Sequence, residues 1–141
     1  MLYGTTANGG VKNYGTVYSL DPTDPQNPPS ATIYSFGTHS DDGSGPIAGL
    51  TIIQDDATFS LYGTTNQSIA HGHGTFFQLT QAGGQWMVTT LYGFCRQPAC
   101  SDGDIPSPGA PLLFDKIFYG TTTAGGGSTT NAGVLYRLSK P

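Results

Sequence analysis

The 141-residue sequence contains few charged side chains and no glutamate. All nine acidic residues are aspartate, and only five residues are lysine or arginine, so the formal net charge is −4. Helical proteins use glutamate freely because it tolerates helix interiors better than aspartate does, so its absence argues against helices. So few cations cannot form a basic patch for phosphates, and we therefore expect no nucleic-acid partner.

Long apolar segments are missing as well. No stretch of the sequence approaches the roughly 20 apolar residues of a membrane helix, so we expect no membrane span. The N-terminal residues also lack a charged segment followed by an apolar one, so we expect no signal peptide in this chain.

Glycine, proline and aromatic residues are abundant instead. The chain has 21 Gly and 10 Pro, and its 8 Tyr, 7 Phe and 1 Trp argue against disorder. Threonine, tyrosine, valine and isoleucine favour strands, whereas glycine, proline, asparagine and aspartate favour turns. The composition therefore predicts an all-β protein built from many short strands.

Two motifs recur along the whole chain. Leu-Tyr-Gly-Thr-Thr at residues 2–6 returns at 61–65 and, with a leading Phe, at 118–122. A second motif, Gly-Thr-Val-Tyr-Ser-Leu at 15–20, returns in altered form at 74–79 and 133–138, which is a spacing of 59 residues both times. A constant period of this size indicates tandem copies of one supersecondary unit.

Each period is expected to contain four antiparallel strands. The two motifs form the first two strands, the third lies near 32–36 and 90–94, and the fourth begins near 46–50 and 108–112. We therefore predict a single repeat domain over residues 1–141, with copies at roughly 1–59, 60–116 and a partial copy at 117–141. Such units are typical of β-propeller blades.

About two and a half units are too few for a closed propeller, which usually needs about four or more blades. An open array would leave strand edges that can pair with another chain. Three interpretations remain open: self-association into a homo-oligomer, a fragment of a longer array, or closure as a smaller sheet structure.

The motif combination resembles the GloVer-type tandem repeat of bacterial choice-of-anchor surface proteins. The resemblance lies in Leu-Tyr-Gly-Thr-Thr, the Gly9-Gly10 loop, the Gly-Thr-Val-Tyr-Ser-Leu motif, Asp42-Gly43 and Gly49-Leu50. It covers essentially the whole chain, although Gly72-His73 stands where the first copy has Asn13-Tyr14. The resemblance implies an extracellular or cell-surface location and no agreed biochemical activity.

The two cysteines, Cys95 and Cys100, lie in one proline-containing loop. They are expected to form a local disulfide in an oxidising compartment, and two free thiols are the alternative. Two cysteines alone do not make a zinc site, which normally takes four ligands.

His71 and His73 are the sharpest departure from the repeat, since the first copy has Lys12 and Tyr14 there. Residues two apart in an extended segment point to the same side, so the imidazoles could hold a metal or act as a general base. They are therefore the candidate catalytic residues. The alternative is a solvated loop with two exposed histidines.

Clustered aspartates occupy the same turn of successive copies, as Asp41 and Asp42 in the first and Asp102 and Asp104 in the second. Aspartate with glycine in a turn resembles part of a calcium-binding loop, which makes these four residues candidate metal ligands and calcium the candidate cofactor. Asp-Gly is also ordinary turn chemistry.

Trp86 is the candidate for stacking on a sugar ring, and core packing is its alternative.

Two functions follow from these residues. The first is an extracellular module that binds a glycan, a protein or a small molecule through its loops. The second is a small calcium-dependent or other metal-dependent hydrolase acting on esters or lactones, with His71 and His73 at its centre.

Overall fold

The computed structural model describes residues 1–27, 29–55, 58–127 and 131–141, and these residues are almost entirely strands and turns. Short strands are expected here because β-formers alternate with glycine, asparagine and aspartate at close intervals. The described strands are β1 (Leu2–Thr6), β2 (Thr16–Leu20), β3 (Ser30–Ser35), β4 (Gly43–Ser44), β5 (Thr51–Gln54), β6 (Phe59–Thr65), β7 (Gln67–Ser68), β8 (Thr75–Ala82), β9 (Gln85–Gly93), β10 (Asp104–Pro106), β11 (Leu112–Phe114), β12 (Ile117–Ala124) and β13 (Leu135–Ser139). One 3-10 turn covers Pro98–Cys100, and no helix in these ranges could cross a membrane.

The strands form four small antiparallel sheets. Sheet 1 has the order β1-β2-β3, sheet 2 has the order β5-β6-β8-β9, and sheet 3 joins β10, β11 and β13 to β12. A two-stranded sheet pairs β4, which follows sheet 1 along the chain, with β7, which lies between β6 and β8 of sheet 2. The predicted all-β class and antiparallel pairing are confirmed, whereas the described residues form no closed propeller.

The boundaries of the sheets do not coincide with those of the sequence repeats. The first, second and third strands of each copy pair in order, but the fourth strand pairs with the first strand of the next copy. β5 therefore lies against β6, and β11 lies against β12. The fourth strands begin at Thr51, one residue past the expected range of 46–50, and at Leu112, the last residue of the expected range of 108–112. Each repeat is thus joined to its successor by backbone hydrogen bonds.

Sheet 2 is buried on both faces. Alternate residues of its central strands point to opposite sides, so Leu61 and Phe77 pack with Val17 and Phe36 from the side of sheet 1. The opposite cluster contains Tyr62 and Phe76 of sheet 2, Phe94 at its end, and Phe118 and Tyr136 of sheet 3. Sheet 2 is therefore the middle layer of the molecule, and it contributes buried side chains to both core clusters.

The glycine of the Leu-Tyr-Gly-Thr-Thr motif has a specific packing role. Gly4, Gly63 and Gly120 lie directly across from an aromatic residue on the next strand: Tyr18, Phe77 and Tyr136 respectively. A Cβ atom at Gly63 would lie 2.7 Å from Cζ of Phe77 and 2.9 Å from Cδ2 of Leu50. The aromatic ring occupies the space that a side chain at the glycine position would fill, which explains why glycine recurs here in every copy.

We predict that Gly63→Ala destabilises the protein by about 1–3 kcal/mol, because the added methyl group overpacks a core that cannot expand. Gly109→Ala is the matched control, since a Cβ atom there meets nothing within 4 Å. Urea unfolding measures both variants. Equal free energies of unfolding for the two would contradict this packing role of Gly63.

Candidate functional site

Asp42 stabilises the turn between β3 and β4 by accepting hydrogen bonds from residues of that turn. Its carboxylate is 1% exposed and accepts the backbone N–H groups of Gly37, Thr38 and His39 at 2.9 to 3.1 Å. The Tyr34 hydroxyl donates to the same carboxylate, 2.7 and 2.8 Å from its two oxygens. Burial and this acidic partner raise the pKa of Tyr34. Asp42 therefore acts as the anchor of the turn, and its oxygens are already engaged.

Asp102 repeats this arrangement in the second copy. It accepts the Tyr92 hydroxyl at 2.7 Å and the backbone N–H groups of Arg96 and Gln97 at 3.0 and 3.1 Å. Burial alone would raise the pKa of Asp102, but these hydrogen bonds outweigh it and lower the pKa. Burial, together with the carboxylate, raises the pKa of Tyr92 to about 12.

The four predicted calcium ligands do not come together. Among the described residues, Asp104 belongs to a group of three or more side chains that could hold a metal ion, but Asp41, Asp42 and Asp102 do not. The companions of Asp104 are His73, Cys95 and Cys100, which are histidine and cysteine residues rather than oxygen ligands.

His71 and His73 border one solvent-accessible cavity of about 410 Å³, together with Phe94, Cys95 and Arg96. Their surroundings differ. His71 is exposed, whereas Nδ1 of half-buried His73 lies 3.0 Å from Oδ1 of Asp104. The aspartate of this pair is 31 residues away along the chain. The structure thus pairs His73 with a partner that sequence spacing had left unidentified.

The cysteine loop follows β9. Cys95 and Cys100 are joined by a disulfide, and no other cysteine is present in the chain. Cys95 has a φ of 60°, where the first copy has Gly37 with a φ of 91°. Left-handed backbone is uncommon for a residue with a side chain, so the cysteine occupies a position where the fold itself favours glycine.

Trp86 lies half-buried near the start of β9, beside the turn that joins β8 to β9. Its ring packs edge-on against Phe59 and Tyr3, with ring centroids 5.8 and 6.2 Å apart. These contacts join sheet 1 to sheet 2, and stacking of Trp86 on a sugar stays a prediction.

A second polar groove lies where the first copy meets the second. It has a volume of about 440 Å³. Its polar and aromatic lining consists of Asn8, Asn13, Tyr14, Ser44, Asn66 and Gln67. Sequence inspection overlooked these residues because asparagine in turns reads as ordinary turn chemistry. The signal was Tyr14, an aromatic residue where the other copies have His73 and Ala132.

The walls of this groove are fixed by backbone hydrogen bonds. The N–H of Gly45 donates to the carbonyl of Tyr14 at 2.9 Å, and the N–H of Asn66 donates to the carbonyl of Gly45 at 3.1 Å. Because β4 also pairs with β7, loops from two repeats form one surface.

We predict that Asp102→Asn lowers the free energy of unfolding at pH 7 by about 1–2 kcal/mol, since it removes a charged hydrogen-bond acceptor from a partly exposed turn. The folded-state pKa is lowered, so the stabilisation exists above the ordinary value of 3.8 and disappears as the pH falls through the folded-state pKa. The stability difference between the two proteins should therefore shrink as the pH falls below 3.8 and disappear below the folded-state pKa in urea titrations.

The control for that comparison is Asp41→Asn, because the exposed Asp41 side chain accepts no hydrogen bond from the described residues. It is expected to change the free energy of unfolding by no more than about 0.5 kcal/mol. A pH-independent difference between wild type and Asp102→Asn would show that the charge of Asp102 is unimportant.

Comparison with known proteins gives one family assignment. No curated protein and no solved structure matches the chain. The sequence model of the Gloeobacter/Verrucomicrobia repeat matches residues 1–141, which include both recurrent motifs and both junctions between copies. The chain therefore belongs to the Gloeobacter/Verrucomicrobia repeat family.

Proposed function

We propose that the chain is an extracellular module that binds an uncharged glycan in the groove between its first and second repeats. The observation that carries this proposal is the combination of side-chain amides with an exposed aromatic ring in one cavity of about 440 Å³. Ligand sites of proteins commonly have volumes of about 300–1,000 Å³.

The chemistry of the lining suits sugar hydroxyl groups. A side-chain amide offers both donors and acceptors, as a sugar hydroxyl does. The amides of Asn8, Asn66 and Gln67 make no hydrogen bond to any other described side chain or backbone group, so they are available to a ligand. Asn13 uses its Oδ1 to accept the N–H of Gly9 at 2.8 Å, which leaves its amide donors available.

Tyr14 supplies the apolar part of the site. Its side chain is 43% exposed, and an aromatic ring with a polar tip suits the apolar face and hydroxyl rim of a pyranose. The residues that line the groove carry no charged side chain. This neutrality favours an uncharged saccharide over an acidic one, and it argues against a protein partner selected by charge.

The disulfide supports an extracellular location for this function. Disulfides form and persist mainly in oxidising compartments, and Cys95 and Cys100 are joined. A chain with few charges and many threonine and glycine residues is compatible with that location.

Metal-dependent ester or lactone hydrolysis is the second candidate, favoured by the contact between His73 and Asp104. An aspartate that accepts a hydrogen bond from a histidine orients the ring as a general base. Calcium has less support, because the turn aspartates Asp42 and Asp102 bind their own loops. Turnover of an ester panel that disappears on chelation and in His73→Ala would establish this alternative.

The glycan proposal predicts saturable binding of at least one neutral polysaccharide or oligosaccharide by the full chain. Tyr14→Ala should weaken that affinity about tenfold, which corresponds to about 1.4 kcal/mol. Asn66→Ala should weaken it about fivefold, because one hydrogen bond is worth about 1 kcal/mol. A glycan array followed by isothermal titration calorimetry measures both effects.

Two controls test whether the groove itself is responsible. Phe114→Ala removes an aromatic side chain that is 71% exposed on β11, and Gln54→Ala removes an exposed amide on β5. Neither residue lines the groove, so both variants should bind as wild type does. Absence of binding across a broad array, or equal losses in groove and control variants, would overturn the proposal.

We further propose that the sheets act as blades of a propeller-like array completed by additional copies of the repeat. The support is that β1 and β13 each pair with one strand among the described residues, so each has a free edge. In the second copy, the corresponding edges are covered by β5 and β9. Free edges invite pairing with another chain.

Self-association predicts a solution mass of at least two chains by light scattering. Leu135→Lys should shift the mass towards one chain, since this side chain is 74% exposed on β13 and a charged edge resists strand pairing. Val11→Lys is the control, because Val11 is 77% exposed but lies in a loop. A monomer at every concentration would exclude self-association of this chain.

A further inference from the structure

We propose that reduction of the Cys95–Cys100 disulfide opens a zinc site formed by His73, Cys95, Cys100 and Asp104. Each of these residues offers one ligand atom, and the four atoms lie within 4.8 Å of one another. Two sulfur, one nitrogen and one oxygen ligand make a four-coordinate set that Zn²⁺ accepts. This inference does not depend on the glycan proposal.

The distances are close to those that zinc requires. Tetrahedral bonds of about 2.0 Å to nitrogen and oxygen would separate these two ligands by about 3.3 Å. Nδ1 of His73 and Oδ1 of Asp104 are already 3.0 Å apart. Two thiolates on one zinc ion lie about 3.8 Å apart, so the sulfur atoms must separate once the bond between them is broken.

All four ligands are specific to the second copy. In the first copy, His73 is replaced by Tyr14, Cys95 by Gly37 and Asp104 by Ser44, whereas Cys100 lies in an insertion. A residue that recurs in every copy serves the fold, while one confined to a single copy is free to serve a site. The four copy-specific residues lie on three separate segments, yet they meet at one point.

Hydrogen bonds hold the cysteine loop in addition to the disulfide. The Cys95 N–H donates to the carbonyl of Gly103, and the N–H groups of Gly103 and Gly126 both donate to the carbonyl of Cys100, at 2.9 Å in each case. Asp102 anchors the same loop through Arg96 and Gln97.

The first copy supplies an internal comparison. Asp42 and Tyr34 hold the equivalent turn by the same hydrogen bonds, and no cysteine is present there. The part of the turn that the two copies share can therefore form without a covalent bond, and the hydrogen bonds to the Cys100 carbonyl hold the inserted part. The reduced thiols would then remain near His73 and Asp104.

The redox step requires a two-electron reductant, for which a dithiol is suitable. The dithiol is oxidised to its disulfide, the bond between the two cysteine sulfurs is broken, and two protons pass to the resulting thiols. Zinc then displaces both thiol protons as it binds the two thiolates. In the oxidised protein the sulfur atoms are bonded to each other, and only His73 and Asp104 remain as ligands.

The ligand types favour zinc, and the neighbouring cavity gives the ion access to the site. Thiolates prefer zinc and similar soft or borderline ions, whereas calcium and magnesium prefer oxygen ligands alone. The cavity of about 410 Å³ borders His73 and Cys95 and is open to solvent. An ion can therefore reach the cluster without unfolding of the core.

The test compares the oxidised and the reduced full chain. We expect one zinc ion per chain after anaerobic reduction with a phosphine, and none in the oxidised protein. Cobalt(II) serves as the spectroscopic probe, because coordination by thiolates gives an intense near-ultraviolet absorption that oxygen and nitrogen ligands do not give. His73→Gln and Asp104→Asn should each weaken zinc binding to the reduced chain at least tenfold while leaving the disulfide able to form.

His39→Gln is the control, because it removes a histidine from the first copy and leaves the four ligands in place. It should bind zinc as the wild type does. A reduced chain that binds no zinc, or that binds cobalt without the thiolate absorption, overturns the proposal. Loss of the native circular dichroism spectrum on reduction also overturns it, because the loop would then require the disulfide. Equal zinc affinity in His73→Gln, Asp104→Asn and wild type would also overturn the proposal.

Discussion

The packing of aromatic rings on both faces of sheet 2 is the interaction on which the rest of the structure depends. Sheets 1 and 3 pack on opposite faces of sheet 2, so sheet 2 contributes large apolar side chains to both core clusters. Phe76 and Phe77 are adjacent in sequence and fully buried on opposite faces. The corresponding leucine of the first motif is buried at Leu61 but 55% exposed at Leu2. A repeat unit of this kind therefore becomes stable only when other units cover it.

The two junctions between repeats share the same backbone arrangement but carry different side chains. At both junctions, residues of an Asp-Gly turn pair with residues just after the Leu-Tyr-Gly-Thr-Thr motif of the next copy. The first junction carries Tyr14 and Ser44, and the second carries His73 and Asp104 at the same places. Since the frame is held by backbone atoms and by buried Asp42 or its counterpart Asp102, these neighbouring positions can change without loss of the fold. Function is expected to differ between junctions for that reason.

The sequence predicted the strands better than the sites. Both recurrent motifs are strands in the copies where they were expected, because alternating apolar residues and flanking glycines mark them locally. β5 begins one residue after the expected range and β11 begins at the last residue of its range, because the proline and glycine residues before them form the connection between sheets. The contacts of Trp86 with Tyr3 and Phe59, which are remote in sequence, could not be predicted from any local pattern, and sugar stacking by Trp86 stays a prediction.

The metal ligands show why sites were harder to predict than strands. A zinc site was set aside because only two cysteines occur, and the missing ligands could not be found by spacing. His73 and Asp104 come from turns that the pairing of β6 with β8 and of β10 with β12 brings together. That proximity is a property of the stacked sheets rather than of any local motif. A comparison of the copies did mark His73 as exceptional, and the same comparison, extended to Cys95 and Asp104, selects residues that meet in space. In a tandem repeat, departures from the shared pattern are therefore a better guide to a site than any single motif.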